Sequence, residues 1–243
     1  MKKAFFISDA HIGAESPQRE RSKAEKLNKF FDIVKSDGKI LFILGDFFDF
    51  WFDYKKIIFS EHFPVLKELA DVSGAGIEIH IFGGNHDWWM QQNGFLGREI
   101  GAIIHRKPTT MNILDKKFFL AHGDGIAPSD WGYRNLLCPI LRNPLSVFLF
   151  GLLPAEWGFS LAKLVSSSSK LYTEKRNLRF EREYEDFARK MTEEKGIDYV
   201  IMGHLHLPLE KNFSGGKYVN IGDFYKNFTY ATFDGKDIKI ERM

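Results

Sequence analysis

Short apolar runs recur along the chain, and each of them ends in a cluster of polar residues. The runs are KAFFIS, KILFIL, IEIHIF, KFFLA, YVIM and KYVNI, and the clusters that follow them contain Asp9, Gly45-Asp46, Gly84-Asn85-His86, His122, Gly203-His204 and Gly222-Asp223. Continuous apolar runs of this length, bounded by turn-forming residues, are typical of strands buried on both faces. The pattern therefore predicts a series of buried strands, each followed by a polar loop.

Between the early runs the apolar spacing changes to that of a helix. Apolar residues recur at helical spacing over residues 22–35 and, more weakly, over residues 62–70. Strands that alternate with helices predict a layered α/β fold. Near the C-terminus, FTYATF and DGKDIKIERM are separated by the turn signal Asp234-Gly235, which predicts a terminal hairpin.

Residues 126–195 do not continue this alternation of strands and helices. They show no strand pattern and contain the apolar segment LLCPILRNPLSVFLFGLLPAEWGFSLAKLV. Asn143 followed by Pro144 predicts a helix start. Pro154 and Glu156 interrupt the apolar run, so we expect short helices and not a membrane span. A charged helix is predicted at about residues 174–194. We therefore predict a core of residues 1–125 and 196–243 with an inserted helical cap of residues 126–195.

Composition narrows the class of protein. With 243 residues and 44% apolar content, the chain suits one globular domain, with or without an insertion. Its net charge of +2 and the lack of a basic stripe outside the cap argue against a nucleic-acid partner. The single cysteine, Cys138, allows no internal disulfide, and the first apolar run reaches Asp9 too early for a signal peptide. We predict a cytoplasmic protein.

Five short motifs at the ends of the predicted strands hold the candidate chemistry. They are Asp9-Ala10-His11, Gly45-Asp46-Phe47-Phe48-Asp49, Gly84-Asn85-His86-Asp87, His122-Gly123-Asp124 and Gly203-His204-Leu205-His206. Each motif alone is weak, because a lone histidine is more often a structural hydrogen-bonding residue. Their shared position after strands is stronger evidence, since open α/β sheets bind ligands at that edge. His62, His80 and His105 lie outside the motifs, and we interpret them as structural or surface residues.

The donor types in these motifs indicate metal binding. Carboxylate oxygen, imidazole nitrogen and amide oxygen together favour Mn²⁺, Fe or Zn²⁺ over Ca²⁺, which takes oxygen ligands alone. Two neighbouring ions would need one bridging carboxylate, and such a pair activates water and neutralises phosphoryl charge. The motifs therefore predict phosphoester hydrolysis.

The ordered set D-x-H, G-D-x-x-D, G-N-H-[DE], H and G-H-x-H resembles that of the calcineurin-like metallophosphoesterases. The resemblance implies two packed β-sheets flanked by helices, and two divalent ions, Mn²⁺ first with Fe or Zn²⁺ as alternatives. It implies that one ion is held by Asp9, His11, Asp46 and His206, and the other by Asp46, Asn85, His122 and His204. A fold that has lost its metals and serves as a lipid-binding scaffold is the alternative, but no ligand is missing.

The same resemblance implies catalytic roles. His86 would face the phosphate and assist the leaving oxygen, with Asp46 as the bridging ligand. Asp49 or Asp87 would orient neighbouring histidines.

Segments outside the motifs resemble the UDP-2,3-diacylglucosamine hydrolase branch of this family. They are FFDFWFDY after Asp46, GDGIAPSD from Gly123 onward, and Gly222-Asp223-Phe224. This resemblance implies cleavage of a UDP-linked diacylglucosamine lipid to lipid X and UMP in lipid A biosynthesis. It also implies peripheral association with the cytoplasmic face of the inner membrane. Another phosphodiester or a nucleotide is the alternative substrate.

Substrate contacts are implied for six residues of this chain: Asn85, His86, Asp130, Ser169, Arg176 and His204. The chain departs from the branch at two positions, since His86 stands where the best-known members carry Arg, and Thr173 where Asn is more frequent. The apolar cap is flanked by cations that could meet a diphosphate: Arg134, Arg142, Lys163, Lys170, Lys175 and Arg176. Its apolar residues would hold acyl chains and dock on an anionic leaflet, or simply pack on the core. The oligomeric state stays open.

Overall fold

The computed structural model describes residues 2–54, 56–163 and 177–243. The strands of the first sheet are β1 Lys3–Ile7, β2 Gly38–Leu44, β3 Glu78–Phe82, β4 Ile103–His105, β10 Thr229–Phe233 and β11 Ile238–Arg242. Those of the second are β5 Thr109–Ile113, β6 Lys116–Ala121, β7 Tyr199–Met202, β8 Leu209–Phe213 and β9 Gly216–Asn220. Their orders are β11-β10-β1-β2-β3-β4 and β5-β6-β7-β9-β8.

The strands that precede the motifs run parallel within each sheet. β1, β2, β3 and β4 pair in parallel, as do β6, β7 and β9, while the hairpins β10–β11 and β8–β9 are antiparallel. The predicted buried strands and the C-terminal hairpin are thereby confirmed. Parallel pairing brings the carboxyl ends of neighbouring strands to one edge, which is where the motif loops emerge.

The sheets pack face to face because successive strand side chains point to opposite faces. In β1, Ala4 and Phe6 join the core between the sheets, whereas Phe5 and Ile7 join the core on the outer face of the first sheet. Phe6 is stacked with Phe42 at a ring-centroid distance of 5.0 Å and with Phe118 at 5.8 Å. Large rings therefore fill the space between the two sheets.

Helices cover both outer faces. α1 Pro17–Asp37 and α2 Phe63–Gly74 place Leu27, Phe30 and Leu69 against the first sheet, and the short α3 Phe95–Arg98 precedes β4. α7 Asn177–Lys195 covers the second sheet with Phe180, Tyr184 and Ala188. The predicted α/β fold with two packed sheets and flanking helices is confirmed.

In the predicted cap, residues 133–163 form short helices, whereas α7, at its C-terminal end, packs on the second sheet. A π-helical turn at Tyr133–Leu137 leads into α4 Cys138–Leu141, α5 Pro144–Gly151 and α6, which covers residues 155–163. Asn143 caps α5, since its side chain accepts a hydrogen bond from the Leu145 backbone N–H at 2.8 Å, with Pro144 next in the chain. This helix start is confirmed. Within the described ranges, no helix has the length and apolar character needed to cross a bilayer.

Candidate metal centre

The five motifs meet at the carboxyl ends of both sheets. Asp9 and Asp46 lie in the loops that leave β1 and β2, and His122 and His204 lie in those that leave β6 and β7. Their side chains form three overlapping groups whose ligand atoms lie within 4.8 Å of one another: Asp9, His11 and His206; His11, Asp46 and His86; Asp46, His122 and His204. Residues that are distant in sequence thus share one site.

Asp46 lies at the centre of this arrangement. Its Oδ2 is 3.8 Å from His11 Nε2 on one side and 3.4 Å from His122 Nε2 on the other. On the first side, His206 Nε2 is 3.1 Å from Asp9 Oδ1. On the second side, His122 Nε2 is 3.1 Å from Asn85 Oδ1 and 3.1 Å from His204 Nδ1. One carboxylate therefore joins two groups of potential ligands.

Several of these atoms are buried without the hydrogen bonds that burial normally requires. Within the described residues, Asp9 Oδ1 and both ring nitrogens of His11 make no hydrogen bond of regular geometry, although Asp9 is 0% exposed and His11 2%, and their near neighbours are His206 Nε2 and Asp49 Oδ1. Metal bonds of about 2.0–2.2 Å at tetrahedral or octahedral angles would leave neighbouring ligand atoms roughly 3.0–3.5 Å apart. The unpartnered atoms and their 3.1–4.0 Å spacing fit divalent metal ions.

Hydrogen bonds on the far side of the imidazoles set their orientation. His122 Nδ1 lies 2.9 Å from the Leu44 carbonyl oxygen, to which it can only donate, so Nε2 is the ring nitrogen that faces the site and would bind a metal ion once deprotonated. Asp49 Oδ1 is 3.4 Å from His11 Nδ1 and 3.6 Å from His86 Nδ1. Asp49, one of the two residues predicted to orient the histidines, is thus the carboxylate that faces them.

Asp87, the other alternative, contacts backbone instead. Its carboxylate accepts hydrogen bonds from the N–H groups of Gly84, Asp46, Phe47 and Phe48, at 2.8–3.2 Å. These bonds join the loop after β3 to the loop after β2. Asp87 therefore fixes the position of Asp46 through the main chain.

The motif loops are held in a strained conformation. Asp9, His11, Asp46, His204 and His206 all have positive φ, between 44° and 68°. Side chains other than glycine rarely adopt this region, and such strain concentrates at functional sites. Each sharp turn aims a side chain over the end of its own strand.

Close packing of the loops explains the glycines that precede two of the ligands. A Cβ on Gly84 would collide with the Asp46 carboxylate, and one on Gly203 would collide with that of Asp9. These positions are restricted to glycine by close approach.

The buried carboxylates set the charge of the site. Burial raises the pKa of Asp9, but His206 and His122 outweigh it and bring that pKa down to about 2. Burial lowers the pKa of His11 to about 4, and burial together with His122 lowers that of His204 to about 4. Burial also lowers the pKa of His122 and His206, but Asp46 and Asp9 outweigh it and raise the pKa of His122 well above its ordinary value, and Asp9 likewise raises that of His206. The carboxylates are thus ionised, and metal binding would replace the protons on His122 and His206.

His86 lies beside Asp46 at the boundary between the two groups. Its backbone N–H donates to Asp46 Oδ1 at 2.9 Å, and its ring Nδ1 lies 3.1 Å from the Asp49 carbonyl oxygen. The carbonyl oxygen can only accept, so Nδ1 carries a proton. His86 Nε2 remains directed to the site, 3.9 Å from Asp46 Oδ2.

The implied substrate contacts outside the motifs fall in two places. Asp130 lies in the first part of the cap, where its carbonyl oxygen accepts a hydrogen bond from the Arg134 N–H at 2.9 Å. Ser169 and Arg176, together with Thr173, lie outside the described residues. Their roles stay predictions.

Two contributors to the site were not foreseen. Lys23 is 1% exposed, and its Nζ donates to the carbonyl oxygens of Ala10 and His11 at 2.9 and 2.8 Å. The Tyr225 ring lies 5.6 Å from that of His11 and 5.4 Å from that of His206. A sequence signal existed for Lys23, since it shares the apolar face of α1 with Leu27, one turn later.

The cap helices contact the loops beside the metal centre. Trp89 Nε1 donates to the Leu141 carbonyl oxygen at 3.0 Å, and the Phe52 and Phe150 rings lie 5.0 Å apart. The opposite surface of the cap helices is apolar and exposed, with Leu145, Phe148 and Leu152 each more than 60% exposed. An exposed apolar surface of this kind marks an interaction site.

Comparison with known proteins agrees with this geometry. The family model for calcineurin-like phosphoesterases matches residues 2–208. The chain is 31% identical over 257 aligned positions to a UDP-2,3-diacylglucosamine hydrolase of Porphyromonas gingivalis, covering 99% of this chain and 97% of the relative. It is 28% identical over 206 positions to the enzyme of the same name from Pseudomonas paraeruginosa, covering 85% and 82%. A hypothetical protein of Pyrococcus horikoshii OT3 shares the fold, with a TM-score of 0.51 at 13% identity, covering 100% of this chain and 88% of that one.

Proposed function

Since the chain belongs to the calcineurin-like phosphoesterase family, we propose that it hydrolyses the diphosphate of UDP-2,3-diacylglucosamine, using two divalent metal ions. The observation that carries the hydrolytic part is the shared carboxylate of Asp46, which lies between two groups of buried donors. The substrate part is supported by the curated relatives and by the exposed apolar surface of the cap helices.

The two groups of donor atoms allow a set of ligands to be proposed for each ion. We assign Asp9, His11, Asp46 and His206 to one and Asp46, Asn85, His122 and His204 to the other. The mixture of oxygen and nitrogen donors suits Mn²⁺, with Fe or Zn²⁺ as alternatives. When bound, such ions supply Lewis acidity that neutralises phosphoryl charge and makes a nucleophile available at neutral pH.

The protein's own groups complete the reaction. His86 Nε2 faces the site and, in the doubly protonated ring, would donate its proton to the leaving phosphoryl oxygen, while the Nδ1–H stays bonded to the Asp49 carbonyl oxygen. Asp49 would keep the rings of His11 and His86 oriented. Asp87 would hold the Asp46 loop in place. The products of the lipid reaction would be UMP and lipid X.

The cap helices provide the apolar surface that a diacyl substrate requires. Ile140, Leu145, Phe148, Leu152 and Trp157 are 60–69% exposed. Burying such side chains against acyl chains would contribute about 1.5–3 kcal/mol each. We propose that the cap helices dock on an anionic leaflet at the cytoplasmic face of the inner membrane.

The direct test is turnover by purified protein of UDP-2,3-diacylglucosamine in mixed micelles, with Mn²⁺, Fe²⁺ or Zn²⁺ added separately. We expect release of UMP that depends on the metal. Turnover of bis(4-nitrophenyl) phosphate alone would instead support a soluble phosphodiester or nucleotide substrate. Absence of bound metal and of both activities would support a scaffold with a vestigial site.

A second measurement addresses the cap. Replacing Leu145, Phe148 and Leu152 by Ser should raise the KM for the lipid substrate and reduce sedimentation with phosphatidylglycerol vesicles. A matched triple change to Ser at exposed charged positions of α7, Arg182, Asp186 and Lys190, serves as the control. Unchanged KM and vesicle binding in the cap variant would count against the lipid assignment.

A further inference from the structure

A pocket adjoins the metal centre on the side of His122. Gly83, His122 and Asp124 form part of its wall, and three basic residues, Arg106, Lys107 and Arg142, form another part. Arg106 and Lys107 come from the segment between β4 and β5, and Arg142 follows α4 of the cap. The core and the cap therefore both contribute cations to one pocket that shares a side chain with the metal centre.

Trp88 holds the two guanidinium groups beside each other. The Arg106 Cζ lies 3.7 Å from the centroid of the Trp88 ring, and the Arg142 Cζ lies 5.0 Å from it. The Trp88 Nε1 donates to the Arg106 carbonyl oxygen at 3.0 Å. Trp88 directly follows Asp87, so its position is tied to the loop of Asn85 and His86. Cation–π contact of this kind restrains both arginines.

The pocket has more positive than negative charge. Asp124 pairs with Arg142 and also accepts a hydrogen bond from the Tyr133 hydroxyl at 2.7 Å. Neither Arg106 nor Lys107 has a carboxylate within ion-pair distance among residues 2–54, 56–163 and 177–243. Burial, with the charge of Arg142 beside it, lowers the pKa of Arg106, because Asp124 pairs with Arg142 and not with Arg106. The arrangement is electrostatically complementary to an anion.

A diphosphate places a second phosphoryl group next to the one that is cleaved. The scissile group must lie at the metal ligands, of which His122 is one, and the pocket begins at His122. Guanidinium groups bind phosphoryl oxygens with paired, charge-assisted hydrogen bonds. We propose that Arg106, Lys107 and Arg142 bind the non-scissile phosphoryl group and make the enzyme selective for diphosphates over simple phosphodiesters. This inference rests on the proposed function, since it assumes phosphoester hydrolysis at the adjoining centre.

The test compares Arg106→Gln with the wild-type protein on two substrates. The ratio of kcat/KM for UDP-2,3-diacylglucosamine to kcat/KM for bis(4-nitrophenyl) phosphate should fall about 10- to 100-fold, as expected for loss of a hydrogen bond to a charged group. Arg106→Lys should recover part of the ratio. The matched control is Arg98→Gln, which removes an exposed arginine that pairs with Glu99. An unchanged ratio in Arg106→Gln would overturn the proposal.

A second experiment tests the pocket independently of whether the lipid is a substrate. UDP and UMP are used as inhibitors of bis(4-nitrophenyl) phosphate hydrolysis at saturating Mn²⁺. UDP, with its extra phosphoryl group, should inhibit the wild-type protein more strongly than UMP, and Arg106→Gln should lose that difference. Equal inhibition of the wild type by both nucleotides would refute the pocket. If the lipid is not a substrate but the UDP preference depends on Arg106, the proposed substrate is wrong and the pocket stands.

Discussion

The loops of the metal centre and the helices of the cap bury their side chains to opposite degrees. Asp9, Asp46 and His122 are charged or polar and at most 3% exposed, whereas Leu145 and Phe148 are apolar and more than 60% exposed. Neither arrangement stabilises the fold by itself. A buried charge loses its hydration, and an exposed apolar side chain stays in contact with water. Each region therefore indicates a binding partner, a cation in the first and an apolar surface in the second.

The two regions also differ in how strongly their geometry is determined. Asp87 makes four backbone hydrogen bonds beside Asp46, and left-handed backbone at five ligand positions allows little adjustment. Among the described residues, the cap helices contact the core through aromatic pairs, the Trp89–Leu141 hydrogen bond and the Arg142–Asp124 ion pair, with no strained backbone of this kind. We infer that the metal centre determines the reaction, whereas the cap determines whether the substrate is taken from a membrane or from solution. The following changes test that division.

The largest effect is expected at the shared carboxylate. Asp46→Asn should lower kcat on any phosphoester by at least about 10³-fold, because one ligand of each metal group loses its charge. Metal content measured by mass spectrometry should fall with it, while circular dichroism retains the fold. Leu145→Ser is the cap counterpart and should leave metal content unchanged. Full metal content and activity in Asp46→Asn would contradict the two-metal assignment.

The next effect compares two phenylalanines. Phe42 lies between the sheets at 0% exposure, and Phe148 lies on the cap at 62%. Phe42→Ala should reduce the free energy of unfolding by about 3–5 kcal/mol, since it leaves a cavity in the core. Phe148→Ala should change it by less than about 0.5 kcal/mol. Urea titrations of both variants measure the difference, and equal losses would show that the cap is part of the folding core.

Lys23 tests the support of the His11 loop. Lys23→Met should reduce stability by about 3 kcal/mol, because the carbonyl oxygens of Ala10 and His11 would be left buried without a donor. Lys29→Met, an exposed position on the same helix, is the control and should be nearly neutral. Thermal unfolding with and without Mn²⁺ measures both. Stability equal to that of the control would mean that the loop is held by other contacts.

His62 tests the junction between core and cap through pH. Burial, with Lys163 of the cap adding to it, lowers the pKa of His62 to about 4 from the ordinary 6.5. The unfolded chain therefore takes up this proton first, so the contribution of His62 to stability is full above pH 6.5 and is lost as pH falls toward 4.

The variant His62→Phe keeps the ring among Phe48, Trp51 and Phe59 but cannot be protonated. Between pH 7 and pH 5 it should lose about 2 kcal/mol less stability than the wild type. Denaturant titrations at the two pH values provide the comparison. Parallel losses in both proteins would place His62 in a more hydrated environment than its 1% exposure indicates.

Sequence reasoning located the parts of the site that depend on local pattern. Apolar runs ending in Asp9, Asp46 and His122 predicted the strands and the edge at which the motifs meet, because burial on both faces leaves a readable run of apolar residues. The C-terminal hairpin and the Asn143 helix cap followed from turn and capping chemistry. Lys23, Tyr225 and Arg106 were not predicted as site residues. Their importance comes from partners far along the chain, such as Trp88 beside Arg106.

The sequence by itself determined the strands that precede the motifs, the C-terminal hairpin, the order of the ligands and the type of chemistry, since each depends on residue type and short spacing. The mostly partly exposed strands β4, β5 and β8 were missed, because they lack a continuous buried run. Only the tertiary structure decided which atoms of those ligands face one another and which of two aspartates, Asp49 or Asp87, contacts the histidines. It also decided that Leu145, Phe148 and Leu149 of α5 are exposed whereas residues 41–44 of β2 are buried. A run of apolar residues shows that those side chains tend to be buried. Packing against a second layer decides whether they are buried within the chain or only when a partner binds.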